Sequence, residues 1–165
     1  MDIKYNKFLD KVTEQLSGDG AFLIVKNLKE KNLMTIGWGF VGIMWNKPVF
    51  IVAVRYSRHT YDILEDTDEF TVSLPLNGQL KKELIKCGSK SGRYIDKFKE
   101  FNIKTKPGEK TKTPAVEKCD LNYECKILYR QSLNSELTKN ETVKSKYIDH
   151  DYHVMIYGEI LSCHN

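Results

Sequence analysis

Residues 37–54 read Gly37-Trp38-Gly39-Phe40-Val41-Gly42-Ile43-Met44-Trp45-Asn46-Lys47-Pro48-Val49-Phe50-Ile51-Val52-Ala53-Val54. The first six match G-x-G-x-x-G literally, the spacing of a dinucleotide-binding turn. That turn works only when its last glycine opens a helix whose N-terminus faces a pyrophosphate. Pro48 comes six residues after Gly42, which leaves no length for such a helix. The next segment, Val49 to Arg55, is instead apolar without alternation and rich in β-branched residues, the pattern of a strand covered on both faces. The three glycines therefore read as a place where a strand bends or where something lies close against the backbone.

Working outward, the other apolar stretches are also short. Ala21 to Asn27 and Leu33 to Trp38 read as strands, Glu69 to Leu74 alternates and ends at Pro75, and Tyr152 to Ile160 makes a last strand. Cys119 to Arg130 alternates throughout, predicting Cys119, Leu121, Tyr123, Cys125, Ile127 and Tyr129 on a buried face and Asp120, Asn122, Glu124, Lys126 and Arg130 on a wet one. Tyr5 to Leu16 has helical spacing and ends in Ser17-Gly18-Asp19-Gly20, so residues 1–19 read as a helical lead-in. A short helix after Ser57, polar helices over Gln79 to Lys86 and Arg93 to Phe101, and a mobile Lys104 to Thr113 loop complete the outline. Six or more strands without long crossover helices predict a mostly β fold, an antiparallel, Greek-key-like barrel with helical inserts, over a doubly wound sheet.

At 165 residues, with 41% hydrophobic and 29% charged composition, the chain suits a single domain spanning 1–165. No stretch approaches the roughly 20 apolar residues of a membrane helix, and the start lacks an apolar signal core, so a cytoplasmic protein with no membrane role is expected. The charge of +4, from 26 basic and 22 acidic residues, is interleaved along the chain. It argues against nucleic acid as a partner while leaving a small anion open. Cys87, Cys119, Cys125 and Cys163 show no zinc spacing, predicting reduced, mostly buried thiols and no metal.

Two motifs point to that anion. Ser57-Arg58-His59-Thr60 puts a cation and two hydroxyls in the first turn of a predicted helix, where an acidic residue is the usual choice. Binding a phosphate resolves the conflict, with Ser57 capping or donating; alternatively, Ser57 only caps and Arg58 points to solvent. Cys87-Gly88-Ser89-Lys90-Ser91-Gly92-Arg93 repeats the combination of small residues, hydroxyls and cations between two helices.

In this order the segments resemble the flavin reductase-like family of FMN-binding split barrels, most closely its flavoredoxin-type members. The similarity is carried by NLMTIGWGFVGIMWNKPVFIVAVRYSRHTYDILEDTDEFTVSLP, CGSKSGRYIDKF, LNYECKILY and DYHVMIYGEI, which lie within the span from Ala21 to Ile160. The resemblance implies a split β-barrel and an FMN cofactor. It places Asn32, Met34, Thr35, Ile36, Gly37 and Trp38 beside the flavin ring and ribityl chain. Arg55, Ser57, Arg58 and Thr60 match the phosphate turn, and Ser89, Lys90, Ser91 and Arg93 match a second loop approaching the cofactor. His153 matches a histidine near the flavin or nicotinamide pocket, the one catalytic candidate, although from the residues alone a plain core or surface histidine is the stronger reading. Phe40 and Asn46 stand where close relatives often carry smaller residues, which affects access over the ring.

The function implied is an oxidoreductase passing hydride or electrons from NAD(P)H through FMN to a flavin or another acceptor, as a homodimer. The alternative is an FMN-binding electron carrier that serves protein partners without a nicotinamide site. A cofactor-free barrel binding another anion is a third reading. Cys87 begins the second loop, but no resolving cysteine lies near it in sequence, so a redox role is not expected.

Overall fold

A computed structural model describes residues 5–165. The strands are β1 Ala21–Lys26, β2 Lys31–Ile36, β3 Gly39–Met44, β4 Lys47–Arg55, β5 Glu69–Leu74, β6 Thr105–Lys106, β7 Ala115–Val116, β8 Leu121–Ser132 and β9 His153–His164. The α-helices are α1 Leu9–Ser17, α2 His59–Glu65, α3 Lys81–Ser89, α4 Lys97–Glu100 and α5 Glu141–Lys144. Seven strands form one sheet in the order β2-β1-β5-β8-β9-β4-β3, and β6 pairs with β7 in a separate ribbon. Every one of these pairings is antiparallel. Strands β2 and β3 lie at opposite ends of this row, yet only Gly37 and Trp38 separate them in the chain. The sheet must therefore curl until its two edges meet at that link. No ladder closes them among the described residues, so the barrel is split, as expected.

Burial reflects this curl. Leu23, Val25, Phe50, Val52, Phe70, Val72, Tyr123 and Ile156 fill the interior. A second cluster, including Phe22, Ile24, Leu33, Leu84, Cys87 and Phe98, packs the outer face of β1 and β2 against α3 and α4. Alternate residues of β1 thus serve different cores, so the strand is buried on both faces; burying each such large side chain is worth roughly 1.5–3 kcal/mol. Strand β4 is likewise buried from Val49 through Val54, as its unalternating sequence predicts.

Several expectations need correction. The glycine-rich stretch is a strand, β3, with its bend confined to Gly37-Trp38. It pairs with β4 through a tight turn at Trp45 and Asn46, both left-handed at φ 52° and 56°. Gly39 is required there because a Cβ would lie 2.7 Å from the Ile51 carbonyl oxygen. The lead-in helix starts only at Leu9, after Phe8 turns left-handed at φ 71°. Cys87, Gly88 and Ser89 belong to the last turn of α3 rather than to a loop, and the helix expected over Arg93 to Phe101 is cut to α4. Asp96 caps α4, its side chain accepting from the Phe98 and Lys99 amides.

The wet face predicted for β8 is wrong in part. Both Asn122 and Glu124 are fully buried: Asn122 Oδ1 accepts from Ser73 Oγ of β5, and residues 109–111 of the Lys104 to Thr113 loop donate to the Glu124 carboxylate. Past Cys125 the strand leaves the core: irregularities at Glu124/Cys125 and Ile127/Tyr129 break its register, and Tyr129 is exposed. Cys87, Cys119 and Cys125 are buried and Cys163 is half-buried, all as free thiols. Among the described residues no helix is long and apolar enough to cross a membrane.

Candidate functional site

Two cavities open side by side where β2, the link to β3, α2 and the α3–α4 connection converge. The first, of about 210 Å³, is lined by Asn32, Met34, Thr35, Ser57, Arg58, His59, Thr60, Cys87, Gly88, Lys90, Ser91, Gly92, Arg93, Tyr94 and Lys97. The second, of about 200 Å³, is lined by Met34, Thr35, Ile36, Gly37, Trp38, Ala53, Arg55, Arg58 and His153. Met34, Thr35 and Arg58 belong to both, which makes the two cavities one elongated site.

The first cavity is cationic by composition. Arg58, Lys90, Arg93 and Lys97 line it, and no Asp or Glu does. Arg58 precedes α2 with extended backbone, and its guanidinium makes no hydrogen bond or ion pair with a described residue. Lys90 caps the C-terminal end of α3 through its backbone, which leaves its ammonium equally unpaired among the described residues. Thr60, 1% exposed, accepts a hydrogen bond from Asn32 Nδ2 at 3.0 Å and keeps its own proton for donation into the cavity. The loop lies tightly on Asn32: a Cβ on Gly92 would fall 2.2 Å from Asn32 Oδ1 and would have to displace the Asn32 amide.

Other members of the two motifs are already engaged. Ser57 does not cap α2; its hydroxyl donates to Asp151 Oδ2 at 2.5 Å. Arg93 donates to the Ser57 carbonyl and to Asp62 Oδ2. Arg55 reaches the second cavity, but its guanidinium donates to the Lys146 and Asp151 carbonyls and pairs with Asp149. Ser91 Oγ accepts from the Arg93 amide. Ser89 lies outside both cavities, with its hydroxyl donating to the Lys86 carbonyl. Phe40 and Asn46 line neither cavity.

The second cavity is more open and is lined by two cations, Arg55 and Arg58, instead of four. Trp38 and His153 pack with ring centroids 4.8 Å apart and planes tilted by 42°, and the Tyr147 hydroxyl lies 2.9 Å from His153 Nδ1. Burial, reinforced by the Arg55 and Arg58 charges and opposed by Asp151, pulls the His153 pKa down to about 4. The ring is therefore neutral at pH 7. Thr35 spends its hydroxyl on the Leu84 carbonyl at 2.5 Å, tying β2 to α3.

Sequence reasoning missed Lys97, His59 and Tyr94 as cavity residues. His59 sits between Glu30 and Asp62 at 2.9 and 3.2 Å. Lys97 is 3% exposed, although a lysine in a polar helix normally reads as solvated. Only its position, shortly after the Ser-Gly loop, could have flagged it. Cys87 also lines the cavity, but burial pushes its thiol up to about 11, leaving no thiolate at neutral pH. Among the described residues no cluster of His, Cys, Asp and Glu could hold a metal.

Similar folds are known. An FMN-binding protein from Thermus thermophilus with bound 1-cyclohex-2-enone is 21% identical, covering 87% of this chain and 68% of that one, with a TM-score of 0.68. Flavoredoxin from Methanosarcina acetivorans is 23% identical, covering 88% and 67%, with a TM-score of 0.68. An NADH:FAD oxidoreductase of Streptomyces globisporus C-1027 is 17% identical, covering 91% and 79%, with the same TM-score. Residues 20–165 match the family model described as flavin reductase like domain, and the chain belongs to that family.

Proposed function

We propose that the chain is an FMN-binding oxidoreductase of the flavin reductase type, taking reducing equivalents from NAD(P)H and delivering them to a flavin or another acceptor. The observation that carries this reading is the pairing of a carboxylate-free, cation-lined cavity with an adjoining one lined by Met34 to Trp38, Ala53 and His153, with Arg55 and Arg58 at it. That donor set fits a phosphate ester at one end and a flat ring at the other. Arg58, Thr60, Lys90 and Ser91 would hold the phosphate, and Met34 to Trp38 would border the ring. When bound, FMN supplies the hydride and electron chemistry itself. The protein's part is to orient the ring, exclude water and offset negative charge, so a neutral His153 is no obstacle.

The second reading, an electron carrier for protein partners, is favoured by the exposed apolar surface of Trp38 and Phe40 at and near the ring cavity. Anaerobic mixing of the FMN-loaded protein with NADH or NADPH separates the two. Bleaching of the flavin band at a catalytic rate supports the reductase. A flavin reduced only by a ferredoxin-like protein supports the carrier, and a chain that takes up no FMN at all removes both.

The homodimer belongs to the same proposal. Trp45, Tyr129 and Tyr157 form an aromatic cluster with centroid separations of 5.5–6.0 Å. By register, exposed Phe40 and Met44 of β3 lie on the same face as Tyr157 and Tyr129, with Ile51 of β4 between them. An apolar face of this kind marks an interaction surface, and a second copy is the occupant proposed.

A further inference from the structure

Lys97 is the most deeply buried cation of the first cavity and has no anion to neutralise it. Its ammonium donates to the Leu33 carbonyl at 3.0 Å and the Cys87 carbonyl at 2.7 Å. These two bonds use two of its three protons. The third has no partner among the described residues, and no described carboxylate pairs with Nζ. Burial, the largest cause, depresses the lysine pKa; Cys87 opposes it, and the positive charge of Arg58 adds a smaller depression. A buried ammonium satisfied only by neutral carbonyls is an expensive arrangement unless a counter-ion arrives. The cavity that Lys97 lines is open to such an ion.

We propose that Lys97 is the buried counter-charge of the ligand's phosphate, a positioning residue that makes this pocket select phosphorylated flavins over riboflavin. The proposal rests on reading the first cavity as a phosphate site. It also assigns the two carbonyl bonds a purpose. They hold the ammonium at the wall of the first cavity while joining β2, which borders both cavities, to α3, which borders the first. The competing view is that Lys97 is only a clamp between two carbonyls.

The test compares FMN and riboflavin binding, by quenching of flavin fluorescence, in the full-length chain and its Lys97→Met and Arg58→Ala variants. For Lys97→Met, FMN affinity should fall about 10- to 100-fold while riboflavin changes less than about threefold, the span expected for losing one bond to a charged group. The thermal midpoint without flavin should hold or rise, because an uncompensated charge has been removed. Equal losses for both flavins, or none, overturn the proposal. If Arg58→Ala weakens FMN selectively and Lys97→Met does not, the cavity reading stands and the Lys97 role fails. If wild type binds FMN no better than riboflavin, the cavity reading itself fails. Should Lys97→Met not fold, ¹³C-lysine NMR of the wild-type chain decides: FMN and inorganic phosphate must shift the Lys97 Cε signal and riboflavin must not.

Discussion

His153 carries the clearest titration signature of the site. Its pKa of about 4 lies below the usual imidazole value near 6.5, so between those two values the unfolded chain binds a proton that the folded chain refuses. Stability attributable to this residue is therefore intact above about pH 6.5 and declines as the pH falls toward 4. An NMR titration of the imidazole C–H signals should show the ring still neutral at about pH 5; a midpoint near 6.5 would mean that the ring is not buried against Trp38 and Arg55 as described. Arg58 and Thr60 are legible in the sequence as site residues because a cation after a serine conflicts with the local preference of a helix start. Lys97 is not legible, because one of the two carbonyls that hold its ammonium, that of Leu33, is 64 residues away and is brought to it by folding.

Among the elements, β8 and the 104–113 loop depart furthest from the sequence pattern. Alternation puts Glu124 on a wet face, yet its carboxylate accepts the amides of Glu109, Lys110 and Thr111 at 2.7–2.8 Å, the Thr111 hydroxyl at 3.0 Å, and His164 Nε2 lies 2.7 Å away. Burial pushes its pKa up, but these donors outweigh that and hold it below the ordinary carboxylate range. Its contribution is thus present above the unfolded value of about 4.3 and is lost as the pH falls through the lower folded value. Glu124→Gln turns one acceptor into a donor facing amides. It should cost about 2–4 kcal/mol in denaturant unfolding, with faster hydrogen exchange at residues 109–111. Unchanged exchange there would show that the loop is held by something else.

For the whole molecule, the aromatic face around Trp45 bears on assembly. Sedimentation should find a dimer, and Trp45→Glu, which puts a charge at the centre of that face, should give a folded monomer. A wild-type chain that sediments as a monomer at micromolar concentration refutes the pairing. What the amino-acid order determined alone was local: the absence of a helix after Gly42, the β-branched strands and the hydroxyl-and-cation turn, and hence an antiparallel barrel with a candidate anion-binding turn. These features arise from interactions within a few residues, where steric preference and hydrophobic period operate. Which cations remain unpaired, which polar strand residues are buried, and how β2 and α3 come to share Lys97 were decided only by the tertiary structure. Each depends on groups tens of residues apart, whose charges and hydrogen bonds acquire partners when the curled sheet brings them together.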